Sequence, residues 1–148
     1  MMTSAEFASR ELDVTTVAEI MSRKVISISS DDTLDTVQEI MDLGSVRHLP
    51  VVRRGVLVGV VSQRDLLKAS LSNVMGLGAE EQRRFLEGVS IGSVMSAPPI
   101  SIEPTASVRE AARVMAERKI GCLPIVETGR LVGIVTETDL LAYFARTV

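Results

Sequence analysis

The chain has 148 residues, 46% of them hydrophobic but only 3% aromatic, and a formal net charge of −3. With no Trp, one Tyr and three Phe it lacks the platforms on which single strands stack, and its acidic balance excludes a broad nucleic-acid-binding face. One cysteine, Cys122, excludes an intrachain disulfide and a zinc-type Cys/His cluster, so a reducing, cytoplasmic setting is expected.

In chain order, residues 1–13 are polar and without periodicity, and we expect a flexible leader; they contain no apolar run of signal-peptide length. No later stretch reaches the ~20 apolar residues that a membrane-spanning helix needs, so no membrane partner is expected. Residues 14–21 (VTTVAEIM) suggest a short turn or helix leading into a strand at Val25–Ile28. Ser30, Asp31 and Asp32 offer capping side chains for a helix whose apolar positions are Leu34, Val37, Ile40 and Met41, closed by Gly44. Two short β-branched runs follow, Leu49–Val52 and Leu57–Val61, joined through a Gly-containing turn as an antiparallel hairpin. Ser62 then begins a second helix carrying Asp65, Leu66 and Leu67.

The same order returns at an offset of 74 residues. Between Ile20–Lys68 and Val94–Ala142 the match runs without a gap and gives 17 identities in 49 pairs. Self-similarity at a fixed period marks a duplication of one supersecondary unit. The second copy has a lead-in at 88–95, a strand at Pro99–Ile102 and a helix opened by Thr105 and Ser107. A hairpin of Leu123–Val126 and Leu131–Val135 follows, then a helix beginning at Thr136. Arg118 stands where Gly44 does, so that helix end is expected to differ. The pattern predicts a leader at 1–13, a first unit at 14–70, a linker with a short helix at 71–88, and a second unit at 89–148. The linker, with Phe85 and Leu86 on one side of its helix, is expected to cover the core, or to dock a partner.

The stretches VISI…LPVV…GVLVGVVSQRDLL and PISI…LPIV…GRLVGIVTETDLL resemble the cystathionine β-synthase (CBS) domain, and the resemblance covers residues 14 to 146. It implies an α+β fold of two βαββα units packed about a pseudo-twofold axis, the Bateman module. It further implies a homodimer and adenosyl ligands in the clefts between the units: AMP, ADP or ATP, with Mg2+ as a companion ion, and otherwise S-adenosylmethionine or an NAD-type dinucleotide. The implied role is energy sensing without catalysis, and with no effector domain expected in the chain the signal is expected to pass to a separate effector protein; a ligand-free interaction module is the competing reading. Walker, Rossmann and HExxH patterns are absent.

The family's Gly-x-x-Ser/Thr-x-x-Asp motif occurs twice, as Gly59, Ser62, Asp65 and as Gly133, Thr136, Asp139. A glycine permits close backbone approach, a hydroxyl at a helix start suits a phosphate, and a carboxylate one turn on can accept both hydrogens of a ribose diol. Ser/Thr-x-x-Asp is equally a capping box, which needs no ligand. Arg47 and His48, just before the Leu49-Pro50 step, fit phosphates, as does Arg64; Gly121, Cys122 and Thr138 stand in their places in the second copy, so two unequal sites are expected. Arg47 and His48 could serve the cleft of the opposite unit, with Asp139 on the ribose, and His48 could equally be a surface histidine. Apolar slots for adenine are expected from Val25, Ile26, Val46 and Leu49, or from Pro99, Ile100, Ile120 and Leu123.

Overall fold

The computed structural model describes residues 15–74 and 76–147; the expected leader lies outside the described residues. The described chain forms two compact units, and their composition differs from the contiguous repeats. One unit is Ile26–Pro99; the other combines the chain up to Val25 with Ile100 onward. Each repeat's lead-in segment therefore belongs to the unit built around the other repeat.

The first unit contains β1 (Ile28–Ser29), α2 (Leu34–Gly44), β2 (His48–Arg53), β3 (Val56–Ser62), α3 (Gln63–Val74) and α4 (Ala79–Gly88). A 3-10 turn at Ile91–Ser93 completes it. The second contains α1 (Val17–Ile20), α5 (Val108–Arg118), β4 (Cys122–Glu127), β5 (Arg130–Thr136) and α6 (Glu137–Thr147). β1 is shorter than VISI suggests, because only Ile28 and Ser29 find parallel partners, Val51 and Val52. In the second unit the equivalent strand shrinks to one bridge, Ile102 to Ile125.

The hairpins follow the local chemistry. Arg54-Gly55 and Thr128-Gly129 form the two-residue turns, with φ of 52° and 80°, and 51° and 78°. Paired positive φ values match the twist of the flanking strands, and glycine takes the second position at no steric cost. Each hairpin carries one irregularity, at Val51/Val52 opposite Gly59 and Leu57, and at Ile125/Val126 opposite Gly133 and Leu131. Pro50 and Pro124 lie within strands despite lacking an amide. Their cross-strand partners, Val60 and Ile134, direct both N–H and C=O to Ser96 and Ser22 instead. The missing proline donors thus leave no gap in these pairs.

The helix caps are more specific than the sequence suggests. Thr33, not residues 30–32, precedes α2, while Asp32 accepts from the Ser29 amide in the turn before it. Ser107 caps α5, accepting from the Glu110 amide at 2.9 Å. The expected difference between the two C-termini is overturned. Ser45 and Lys119 both adopt the left-handed conformation, with φ of 51° and 55°, and donate to Met41 O and Met115 O. Gly44 is simply the last helical residue; the cap falls one position later, so Arg118 need not be glycine.

Two cores result. Leu34, Val37, Met41, Leu49, Val61 and Ile91 anchor one; Val17, Val108, Met115, Leu123, Ile125 and Val135 anchor the other. Val17 and Ile91 are both fully buried, and both come from lead-in segments. Burying each contributes about 1.5–3 kcal/mol, so neither unit is complete without its borrowed segment. The linker helix α4 packs against α2 and α3, with Leu86 reaching the first core. This is the covering role expected of it.

Candidate nucleotide-binding motifs

The lead-in segments dock by two matched sets of backbone bonds. In the second unit the amides of Val17, Ala18 and Val108 donate to Ala106 O, Pro104 O and Thr15 O, at 2.8, 3.1 and 2.9 Å. In the first, the amides of Ile91, Gly92 and Leu34 donate to Asp32 O, Ser30 O and Val89 O, at 2.8, 3.0 and 3.1 Å. Farther along, Ser22 and Ile134 exchange bonds of 2.9 and 3.1 Å, and Ser96 and Val60 exchange bonds of 2.9 and 3.1 Å.

This docking assigns the two motif glycines. A methyl on Gly59 would lie 2.6 Å from Met95 Sδ and 2.9 Å from the Ser96 carbonyl oxygen. On Gly133 it would lie 2.4 Å from Met21 Sδ and 3.1 Å from the Ser22 oxygen. The side of each glycine that a Cβ would occupy is therefore filled by the unit's own lead-in. The repeated methionines, Met21 and Met95, are the other half of this contact. They are one of the 17 identities at the 74-residue offset, but nothing in the sequence signals their role.

Where each hairpin meets its helix, both motifs form a reciprocal capping box. The Ser62 amide donates to Asp65 Oδ2 at 2.8 Å and the Asp65 amide donates to Ser62 Oγ at 3.1 Å. The Thr136 amide donates to Asp139 Oδ2 at 2.8 Å, the Thr136 hydroxyl to the same oxygen at 3.1 Å, and the Asp139 amide to Thr136 Oγ1 at 3.4 Å. The amides of Gln63 and Glu137 donate to Arg47 O and Gly121 O, at 2.8 and 3.1 Å. Three of the four amides at each helix start are thus occupied by protein acceptors. The backbone N–H groups at these helix starts are therefore not the free set that the sequence suggests. Only Oδ2 of each aspartate enters the cap. A carboxylate offers about four lone-pair sites on two oxygens, so Oδ1 of Asp65 and Asp139 keeps its accepting capacity.

The same junctions gather the other candidates of each unit. His48 lies opposite Ser62, and Cys122 opposite Thr136. Arg47, tied through its carbonyl to Gln63, and Arg64 are exposed, while His48, Ser62, Asp65, Thr136 and Asp139 are half-buried. Arg47 and His48 therefore stand beside Ser62 and Asp65 of their own unit. Ile26 is 46% exposed and shares the surroundings of Gly44 with Val46. Ile100 and Ile120 pack against the second core. Leu49 and Leu123 are fully buried and have no surface to offer a ligand. Val25 falls in the second unit and Pro99 in the first, so the expected apolar slots mix residues of the two. The Cys122 thiol is pushed up from 9.0 to about 12 by burial, which removes it as a nucleophile near neutral pH. Among the described residues no group of three or more His, Cys, Asp or Glu could hold a metal ion. Among them, too, no helix is long and apolar enough to cross a membrane.

Two α+β units, each with a hairpin running into a capped Ser/Thr-x-x-Asp helix, define a tandem-repeat module. The model of the CBS domain family matches residues 17–72 and 91–146, and the chain belongs to that family. A CBS domain-containing protein of Dictyostelium discoideum is 35% identical over 127 residues, spanning 84% of this chain and 88% of its own. The CBS domain pair of protein MJ0100, solved in complex with 5′-methylthioadenosine and S-adenosyl-L-methionine, is 26% identical at a TM-score of 0.77, over 91% of this chain and 99% of that one. CBSX2, solved in complex with AMP, is 28% identical at a TM-score of 0.73, over 89% and 97%. The family boundaries follow the sequence repeats, whereas the compact units exchange their lead-ins.

Proposed function

We propose that the protein is a non-catalytic regulatory module that binds an adenosyl ligand at its Ser/Thr-x-x-Asp motifs, AMP, ADP or ATP foremost, and signals to a separate partner protein in the cytoplasm. The observation that carries this reading is that Oδ2 of each aspartate accepts the cap amide; Oδ1 is the oxygen we assign to a ribose diol. The complexes of CBSX2 with AMP and of MJ0100 with 5′-methylthioadenosine and S-adenosyl-L-methionine support the ligand class. Arg47, His48 and Arg64 supply phosphate contacts, and Ile26 with Val46, or Ile100 with Ile120, the apolar side of adenine. A homodimer forms through α3 and α6, where the equivalent residues Leu67 and Leu141 are 58% and 69% exposed. A ligand regulates only through differential affinity for two states, so binding must alter the partner or dimer contact.

The test is replacement of Asp65 or Asp139 by Asn. Asn keeps an oxygen for the cap but presents an N–H donor to the diol. Calorimetry with AMP should show binding weakened at least ~10-fold, the value of one charge-assisted hydrogen bond, with stability little changed. If neither AMP, ADP, ATP, S-adenosylmethionine nor NAD binds the wild-type protein at millimolar concentration, the reading fails.

A further inference from the structure

The helix α4 covers α2 and α3 of the first unit, and the chain carries a second version of its residues. At the 74-residue offset Ala79–Gly88 (AEEQRRFLEG) falls on residues 5–14 (AEFASRELDV), where Ala5, Glu6, Arg10 and Leu12 repeat Ala79, Glu80, Arg84 and Leu86. The repeated residues are those that α4 uses. Leu86 reaches the first core, and Arg84 pairs with Glu80 one turn back at 3.7 Å. Ser4, a preferred N-cap residue, stands where Gly78 precedes α4. The tether after each segment is repeated as well. Val89, next after α4, accepts from the Leu34 amide at the start of α2 at 3.1 Å; Thr15, next after residue 14, accepts from the Val108 amide at the start of α5 at 2.9 Å. Thr15 Oγ1 also accepts from the Tyr143 hydroxyl of α6 at 3.0 Å. Residue 14 is thus followed by a residue held on both α5 and α6, the counterparts of the two helices on which α4 lies.

We infer that residues 5–14 dock on α5 and α6 of the second unit as α4 docks on α2 and α3 of the first. The occupant of that face is this chain's own N-terminal segment, because Thr15 delivers it there. Residue spacing names the contact side. Gln82, Phe85 and Leu86 are the half-buried residues of α4, and their counterparts are Ala8, Glu11 and Leu12. Like Leu86, Ile40 of α2 and Ala69 of α3 pack partly buried against the first core; the same positions in α5 and α6 hold Val114 and Tyr143, partly buried against the second. Leu12 is the residue that joins them. The rings change sides between the copies. In the first unit the cover supplies Phe85 and α3 offers Ala69 and Ser70; in the second α6 supplies Tyr143 and Phe144, edge to face at 5.5 Å, and the segment offers Ala8 and Glu11. Large is set against small in both, as close packing requires. The expected leader is, on this reading, the cover of the second core.

The experiment is hydrogen exchange read by mass spectrometry on the full chain, at two protein concentrations. In the wild type the amides of residues 8–14 should exchange at least about tenfold more slowly than in Leu12→Asp, the factor that burial of one leucine sustains. Peptides containing Val114 and Tyr143 should exchange faster in the same variant, while both hairpins keep their protection, which marks undocking rather than unfolding. Ser9→Asp, whose counterpart Arg83 is exposed, should leave all these rates as they are. If Leu12→Asp unfolds the chain, Leu12→Ala carries the same comparison. Wild-type exchange of residues 8–14 at the rate of an unfolded peptide would overturn the inference, as would equal effects of Ser9→Asp and the Leu12 variant. Protection that rises with protein concentration would assign the face to a second copy of the chain, and would overturn it too.

Discussion

The contact between motif glycine and lead-in methionine makes a sharp prediction, because the two copies differ in what an added methyl would strike. Neither Gly59 nor Gly133 has positive φ, so alanine is compatible with the backbone at both. In open space such a change would stabilise by about 0.4–1 kcal/mol, through the unfolded chain. Here it should destabilise. At Gly59 the methyl meets a flexible thioether at 2.6 Å but also a backbone oxygen, that of Ser96, at 2.9 Å. Overpacking of this kind costs about 1–3 kcal/mol. Displacing Ser96 also loosens its two bonds with Val60, worth about 1 kcal/mol each. We expect Gly59→Ala to lose about 2–4 kcal/mol, lowering the melting temperature by roughly 5–12 °C for a chain of this size.

At Gly133 the severe contacts are with Met21 Sδ and Cγ, at 2.4 and 2.9 Å, while the Ser22 oxygen lies at a tolerable 3.1 Å. Rotating Met21 relieves most of the clash. Urea denaturation followed by far-ultraviolet circular dichroism can separate the two cases by double-mutant cycles. Met21→Ala should cancel most of the cost of Gly133→Ala, whereas Met95→Ala should cancel only part of that of Gly59→Ala, since the Ser96 oxygen stays in place. If Gly59→Ala is neutral or stabilising, or if Met95→Ala rescues it fully, the docking of the lead-in against this glycine is misassigned.

Other consequences are equally direct. Asp65→Ala should lower stability by about 1 kcal/mol through loss of the cap, and Asp65→Asn by much less, as urea midpoints would show. Thr128→Asn should stabilise by about 1 kcal/mol, because a β-branched residue is poorly suited to φ of 51°; Arg54→Asn should gain less, and equal gains would contradict the argument. For Cys122 the thiol pKa is raised on folding, so its contribution is complete below pH 9.0 and is lost as pH climbs toward 12. Wild-type stability should fall faster than that of Cys122→Ala by up to ~1.4 kcal/mol per pH unit in that window, and parallel pH profiles would refute it. Separately expressed fragments 1–74 and 76–148 should each fail to give a cooperative melt and regain one when mixed, since each lacks the segment that completes its core; independent folding of either would contradict the exchange.

Much of this protein was written locally. The hairpins are legible because Arg54-Gly55 and Thr128-Gly129 interrupt β-branched runs, and the second helix of each copy because Ser62 and Thr136 stand three residues before an aspartate. Those interactions span a few residues, and residue type alone suffices to predict them. That the motif can cap its helix was also visible, but which carboxylate oxygen accepts the cap amide is encoded by no spacing.

What the amino-acid order determined, then, is the unit and its duplication: the 74-residue offset, the βαββα order and the paired motifs. The tertiary structure decided which copy completes which. Met21 and Met95 are identical, as are Gly59 and Gly133, so either methionine offers either glycine nearly the same surface. Nothing local distinguishes a lead-in docking on its own hairpin from one docking on the other copy's. The chain takes the second arrangement, where Val17 and Ile91 are fully buried in the opposite repeat's core and their flanking amides find carbonyl partners. Only a folded backbone can choose between surfaces that the sequence made alike.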